Sequence, residues 1–386
     1  MSNTLKASIL SVVGVMGAHQ WSRADTGNEL TKSEAIRQER IAQSEQFSGN
    51  KAITRMPSVD TNESMTTVLW KFVSQRGELK PSKPLPYQPI NPVALEQRSE
   101  ALRVTWLGHS SLFVEMANKR LLIDPVFEYA SPWIAQRLFL RNVSAPIARE
   151  DLPLPDAIVI SHDHYDHLEE STARYFAAKG VEFYVPLGVG RHLENWGVAP
   201  QQIKEFDWWE SANVDGVELT ATPANHNSGR KGFDANTTLW CSWVIRSDKH
   251  SVFYSGDTAY DTHFKQIGDK FGSFDLAFIE VAANVKEGKG YPVENWGHMQ
   301  AKHTMQAYVD LNADMLFPVH WSTYELFAHR WDEPINDLIA ESEKTGAHLV
   351  TPMVGETIDY KNDINTTFWW KTPEIKLASA QLGYQN

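Results

Sequence analysis

Residues 161–168 read Ser-His-Asp-His-Tyr-Asp-His-Leu, so His162, His164, Asp166 and His167 fall within six positions of one another. Three imidazoles and a carboxylate at that density are a poor choice for a core or an ordinary loop. Neutral imidazole and carboxylate do suit zinc and similar transition metals. The preceding run, Ala157-Ile158-Val159-Ile160, is short and apolar, as expected of a buried strand. The cluster therefore falls at a strand end, a position that commonly carries function in α/β folds. Asp163 and Tyr165 interleave with the candidates, so His162 and His164 can share one side while Asp166 and His167 reach a second point. That spacing suggests two metal ions rather than one.

A pair of four- or five-coordinate metals needs roughly six or seven protein ligands and a bridging water. Three further candidates each follow a strand-like run: 219–225 leads to His226, 252–256 to Asp257, and 315–319 to His320. The chain has 14 histidines, so any one match alone carries little. The same order of strand and then ligand, met four times, defines a site.

The cluster, together with T-P-A-x-H at 222–226, S-G-D-T at 255–258 and P-V-H-W at 318–321, resembles the metallo-β-lactamase superfamily. V-T-W-L-G-H-S-S at 104–111 and L-L-I-D-P-V-F at 121–127 resemble, more narrowly, the branch containing the N-acylphosphatidylethanolamine-hydrolysing phospholipase D and its bacterial relatives. The likeness runs from about residue 100 to about 340 and takes in D-W-W at 207–209 and L-W-C-S-W-V-I at 239–245. It implies that His162, His164 and His226 hold one zinc and that Asp166, His167 and His320 hold the other. Asp257 would bridge the two. The nucleophile it implies is a metal-bound hydroxide, with Asp166 and Asp257 as the catalytic carboxylates. Two cations can bring the pKa of a shared water toward neutrality. Iron or manganese could also occupy a His/Asp set of this kind.

Some β-lactam-hydrolysing members use a cysteine as a zinc ligand. The single cysteine here, Cys241, lies inside the apolar run 239–245 and reads as a buried core thiol, which argues against β-lactam hydrolysis as the main function. His109, after the strand-like run 104–107, and Asp124, before Pro125, are expected to orient ligands from behind rather than bind metal. The resemblance implies that His298, just ahead of a helical pattern near 299–311, meets the substrate phosphate. A helix start also attracts anions. Trp321 and Tyr324 follow His320 directly and are expected to touch substrate.

The expected fold is an α/β, metallo-β-lactamase-type αββα sandwich, with two central mixed sheets flanked by helices. Strand-like runs occur at 102–106, 111–115, 120–123, 157–160, 182–185, 217–221, 239–246, 251–255, 276–280, 315–319 and 347–350. Helical patterns occur near 168–179, 187–195, 260–270, 299–311 and 333–345. Residues 1–24 contain a hydrophobic stretch, 7–18, of signal-peptide length and too short for a comfortable membrane span. It is read as a signal or anchor, favouring an exported or envelope-associated protein. Residues 25–100 form an extension, charged and solvated up to about 50, with a proline-rich linker at 81–92 (Pro81, Pro84, Pro86, Pro89, Pro92) that either swings free or packs across the domain. The catalytic domain spans 101–360 and a tail spans 361–386.

A net charge of −12 gives no basic footprint for nucleic acid, so no nucleic-acid partner is expected. The favoured function is a binuclear zinc phosphodiesterase acting on phospholipids of the N-acyl-phosphatidylethanolamine type, with membrane-surface contact. The alternative is a lactone or carboxylic-ester hydrolase of the same fold. An alternative of another class is an envelope-associated binding protein with a structural metal site.

Overall fold

In chain order the protein forms α1 (Lys32–Gln43), a short hairpin of β1 (Phe47–Ser48) and β2 (Lys51–Ala52), then β3 (Arg103–Gly108), β4 (Ser111–Met116), β5 (Lys119–Ile123) and β6 (Ala157–Val159). There follow α2 (Glu170–Ala177), β7 (Glu182–Pro186), α3 (Gly190–Asn195), β8 (Ile203–Phe206), β9 (Ser211–Val214), β10 (Val217–Thr222), β11 (Ser242–Arg246) and β12 (Ser251–Tyr254). The last elements are α4 (His263–Phe271), β13 (Phe274–Glu280), α5 (Ala301–Asp310), β14 (Ala313–Val319), α6 (Glu333–Thr345) and β15 (Thr357–Asp359). This computed structural model describes residues 32–55, 79–133, 135–136, 139–282, 297–327, 329–360, 364 and 367–371.

The strands build a seven-stranded sheet, β15-β3-β4-β5-β6-β7-β8, and a six-stranded sheet, β14-β13-β12-β11-β10-β9. Both are mixed: β5 to β8 pair in parallel and β12 to β14 likewise, while the remaining neighbours are antiparallel. Period-two alternation explains the layering. Val104, Trp106, Val114, Leu121, Ile123 and Val159 of the first sheet join Leu219, Trp243, Phe253 and Phe278 of the second in one core. The alternate residues Phe113, Leu122, Ile158 and Phe183 face outward and pack with Ala173 and Phe176 of α2 and Leu193 of α3. Helices α4, α5 and α6 bury Phe264, Ile267, Met305, Ala307, Ile335 and Leu338 against the second sheet. The result is the αββα sandwich.

The pairing directions also position the site. Strands β3, β5 and β6 run the same way in one sheet, and β10, β12, β13 and β14 share a direction in the other. His109, Asp124, the 161–167 cluster, His226, Asp257, Glu280 and His320 each sit at or just past the C-terminal end of one of these strands.

Several elements differ from the sequence expectation. Strands β8, β9 and β15 carry polar residues at alternate or edge positions and gave no apolar run. The run 347–350 makes only an isolated bridge, Leu316 to Leu349, and not a strand. The extension is not simply solvated. Arg37 of α1 is 2 % exposed and pairs with the local Glu34 and with Glu205 (2.7 Å) and Glu194 (3.1 Å), two partners far away in sequence that no local pattern reveals. The proline-rich segment runs across the domain: the amides of Leu85, Gln88 and Ile90 donate to the carbonyls of Asn142, Val354 and Pro146 at 2.8–3.0 Å. Gly355, at φ +90°, leaves room for it, since a Cβ there would lie 1.8 Å from the Gln88 carbonyl. The expected signal or anchor at 1–24 and most of the tail lie outside the described residues. Among the described residues, no helix is long and apolar enough to cross a membrane.

Candidate metal centre

The loop after β6 brings His162, His164, Asp166 and His167 into one buried space with His226, Asp257 and His320 from the facing sheet. One group, His162, His164, His226 and Asp257, offers donor atoms all within 4.8 Å of one another. A second, Asp166, His167 and His320, does the same with His109. Asp257 faces both groups. Its Oδ2 lies 3.1 Å from His167 Nε2, 3.2 Å from His320 Nε2, 3.6 Å from His162 Nε2 and 3.9 Å from His226 Nε2. Asp166 Oδ2 lies 3.4 Å from Nε2 of both His167 and His320.

The donor set fits divalent metal. Asp166 Oδ1, Asp257 Oδ1, His167 Nε2 and His320 Nε2 are buried with no hydrogen-bond partner, a costly state unless a cation meets them. The ring nitrogens that face away are secured. His226 Nδ1 donates to the Gly297 carbonyl (2.8 Å), His162 Nδ1 meets Ser161 Oγ (2.9 Å) and His167 Nδ1 donates to Asp124 (2.7 Å). Such partners fix the tautomer and present Nε2 inward.

Asp124 gathers several donors from around the cluster. Its carboxylate accepts from the Ser161 amide (2.7 Å), from the Tyr254 hydroxyl (2.6 Å) and from His167. His109 places Nε2 3.0 Å from Asp166 Oδ2, behind the second group, and its carbonyl accepts from the His320 amide. His109, Asp124 and His320 hold φ of +53°, +39° and +67°, uncommon for residues with a Cβ and typical of sites where the fold fixes the backbone for function.

Burial holds the imidazoles of His162 and His226 well below their usual pKa and lowers His164 as well, so these three are neutral donors. His320 behaves oppositely. Burial alone would depress it, but the Asp257 and Asp166 carboxylates overcome that and push it up to about 10 in the metal-free chain. His167 is raised in the same way, also against burial. An imidazole must be neutral to bind a metal, so loading has to expel these protons. Zinc titrated into metal-free protein near neutrality is therefore expected to show net proton release, and tighter binding as pH rises. Calorimetry in two buffers of different ionisation enthalpy measures this. Heats independent of buffer would show the rings already neutral.

His298 lies beside both donor groups. Its ring centroid is 5.1 Å from those of both His226 and His320, and Nδ1 donates to Glu280 Oε2 at 2.8 Å. Glu280, fully buried at the end of β13, also accepts the Thr258 amide at 2.5 Å, next to Asp257. Sequence reasoning missed Glu280, although the run 274–279 followed by a carboxylate repeats the order of strand and then ligand.

Trp321 and Tyr324, expected to touch substrate, are both buried. Trp321 stacks on Trp106 (5.4 Å, 29°) and packs against Trp369 and Trp370, inside the core between the sheets. Tyr324 is buried edge-on to His109, its hydroxyl turned to Arg141. The half-buried Phe327, 4.9 Å from His298, is the aromatic nearer the centre. Cys241 is buried and belongs to none of the donor groups among the described residues, and burial pushes its thiol well up.

A two-sheet sandwich with a buried His/Asp cluster at its strand ends is the architecture of metal-dependent hydrolases of the β-lactamase fold. The beta-lactamase superfamily domain matches residues 119–321, and the chain belongs to that family. An uncharacterised protein of Mycobacterium tuberculosis is 35% identical over 317 residues, covering 80% of this chain and 82% of the relative. N-acyl-phosphatidylethanolamine-hydrolyzing phospholipase D 1 of Caenorhabditis elegans is 29% identical over 235 residues, 58% of this chain and 65% of the relative. A possible metal-dependent hydrolase from Veillonella parvula shares the fold, with a TM-score of 0.53 and 18% identity over 67% of this chain and 99% of its own.

Proposed function

We propose that this hydrolase cleaves the phosphodiester of phospholipids of the N-acyl-phosphatidylethanolamine type, leaving phosphatidic acid and an N-acylated amino alcohol, with two divalent ions, zinc foremost. The observation that carries the reading is the pair of donor groups that Asp257 faces, with His298 beside His226 and His320. The similarity to a phospholipase D of C. elegans supports the substrate class. His162, His164 and His226 would hold one ion and Asp166, His167 and His320 the other, with Asp257 facing both. When bound, such ions supply Lewis acidity and make hydroxide available at neutral pH.

The chain's own groups do the rest. Asp124 and His109 set His167 and Asp166 from behind. Glu280 accepts from Nδ1 of His298, and in the imidazolium form of the ring Nε2–H is left to donate to a phosphoryl oxygen. Removing that contact costs a hydrogen bond to a charged group, about 1.5–3 kcal/mol. His298→Ala is therefore expected to lower kcat/KM on phosphodiesters by roughly 10–100-fold while metal content stays at the wild-type level. The test is a panel of N-acyl-phosphatidylethanolamine in mixed micelles, a soluble aryl phosphodiester and a lactone. Turnover of the first two, weakened in the variant, supports the proposal. Turnover of the lactone alone contradicts it.

A further inference from the structure

Arg230 is a buried cation with an unusual set of partners. Among the described residues its guanidinium meets no carboxylate at ion-pair distance. Instead, its NH1 donates to the backbone carbonyls of Asp163 (2.6 Å) and Leu168 (2.8 Å). The guanidinium carbon lies 3.9 Å from the ring centre of Tyr165 and 5.0 Å from that of Trp196. Tyr165 returns the contact, its hydroxyl donating to the Arg230 carbonyl at 3.1 Å. The two carbonyls bracket residues 164–167, which include one ligand of the first donor group and two of the second.

The clamp joins the two sheets. Residues 161–168 follow β6 of the seven-stranded sheet, whereas Arg230 lies four residues beyond His226, on the loop after β10 of the six-stranded one. That loop is itself rigidly closed. Asp234 Oδ1 accepts the amides of Arg230 (3.0 Å) and Lys231 (2.7 Å), and Gly229 at φ +137° would place a Cβ 3.0 Å from Ala235 Cα. The Asp163 side chain completes the tie. It points away from the donors and accepts from the Gly229 amide (2.8 Å) and the Thr238 hydroxyl (3.0 Å), with His192 Nε2 3.0 Å away.

One ligand depends on this frame more than the others. In the first donor group, His162 is steadied by Ser161 and His226 by the Gly297 carbonyl. Among the described residues the His164 ring hydrogen-bonds only within the cluster, its Nδ1 lying 2.9 Å from His162 Nε2 and 3.2 Å from His226 Nε2. Its place is set by its backbone, which Arg230 holds through the adjoining Asp163 carbonyl. In the second group, His167 and Asp166 have their own supports, Asp124 and His109.

We propose that Arg230 is a positioning residue for His164, and so governs occupancy of the metal position formed by His162, His164 and His226. The inference rests on the two-ion reading above. A lysine ammonium could reach both carbonyls, since both bonds come from the one nitrogen NH1, but it lacks the planar guanidinium that the Tyr165 and Trp196 rings hold in place, so it is not fixed there.

The test compares wild type, Arg230→Met, Arg230→Lys and Arg37→Met. Arg37 is a buried arginine of the α1 network that pairs with Glu34, Glu194 and Glu205 and with none of the donors, so its variant reports general destabilisation. Metal per chain is measured at a buffered free-zinc level, together with the absorption spectrum of the cobalt-loaded protein. The expected result is about two ions in wild type and in Arg37→Met. Both Arg230 variants are expected to bind one ion as wild type does and the other about 10–100-fold more weakly, with the cobalt spectrum simplified to a single site. Wild-type stoichiometry and spectrum in Arg230→Lys and Arg230→Met would overturn the proposal, as would an equal metal loss in Arg37→Met. A wild type that binds only one ion would overturn the two-ion reading. Arg230 would then be judged by whether its variants hold that ion more weakly than Arg37→Met does.

Discussion

Asp257→Ala is expected to lower phosphodiester turnover by at least about 10³-fold, about 4 kcal/mol of transition-state stabilisation at ~1.36 kcal/mol per decade. The reason is the place of this carboxylate. Among the described residues it is the one acid whose Oδ2 comes within 4 Å of ring nitrogens from both donor groups, His162 and His226 on one side and His167 and His320 on the other. It is 3 % exposed and held well below the usual carboxylate range: burial opposes ionisation, but His167 and His320 outweigh it. Alanine leaves five buried imidazoles with Asp166 as the single remaining carboxylate of the seven-residue set, so both positions should lose metal affinity. Asp257→Asn, which keeps shape without charge, should fall between the two. Turnover and metal per chain measured on the same preparations check this. A variant that keeps both metals and full activity would exclude Asp257 from the centre.

Stripping the metal is expected to have the second largest effect, on stability. A ligand that binds only the folded chain adds about 4.1 kcal/mol at a free concentration of about 1,000 Kd, so chelation should lower the unfolding midpoint markedly. The deficit should depend on pH. In the metal-free chain His320 has a folded pKa of about 10 against 6.5 for the free side chain. Its pairing with Asp166 and Asp257 therefore stabilises fully below about pH 6.5 and is lost as pH rises toward about 10. The metal-loaded chain has no such proton to lose. The gap in midpoint between loaded and stripped protein should widen from about pH 6.5 to about pH 9. Thermal unfolding of both forms across that range measures it. A gap that is constant, or that narrows, would contradict the assignment of His320 as a ligand.

Most of the sandwich and its cluster could be read in the sequence because each ligand-bearing strand is buried on both faces. β6, β10, β12 and β14 show as apolar runs, and a polar residue directly after such a run stands out. Edge strands β8, β9 and β15 are short and partly polar, so nothing distinguishes them from loops. Arg37 and Arg230 were invisible for a different reason. Their partners are backbone carbonyls or carboxylates 62–168 residues away in the chain, except for the local Glu34, and a lone arginine in a polar stretch reads as surface. Trp321 misled because adjacency to a ligand in sequence does not fix direction. The chain turns at His320, φ +67°, and sends the next side chain into the core. Glu280 obeyed the same order of strand and then polar residue as the ligands, and its role emerged only with His298 beside it.

The most direct measurement is the fate of solvent oxygen when the protein turns over N-acyl-phosphatidylethanolamine in heavy-oxygen water. The account expects phosphatidic acid with the heavy atom on its phosphate and an unlabelled N-acylated amino alcohol, since attack is at phosphorus. Label in a released fatty acid, with none in phosphate, would contradict it and place the bond cleaved at a carboxylic ester.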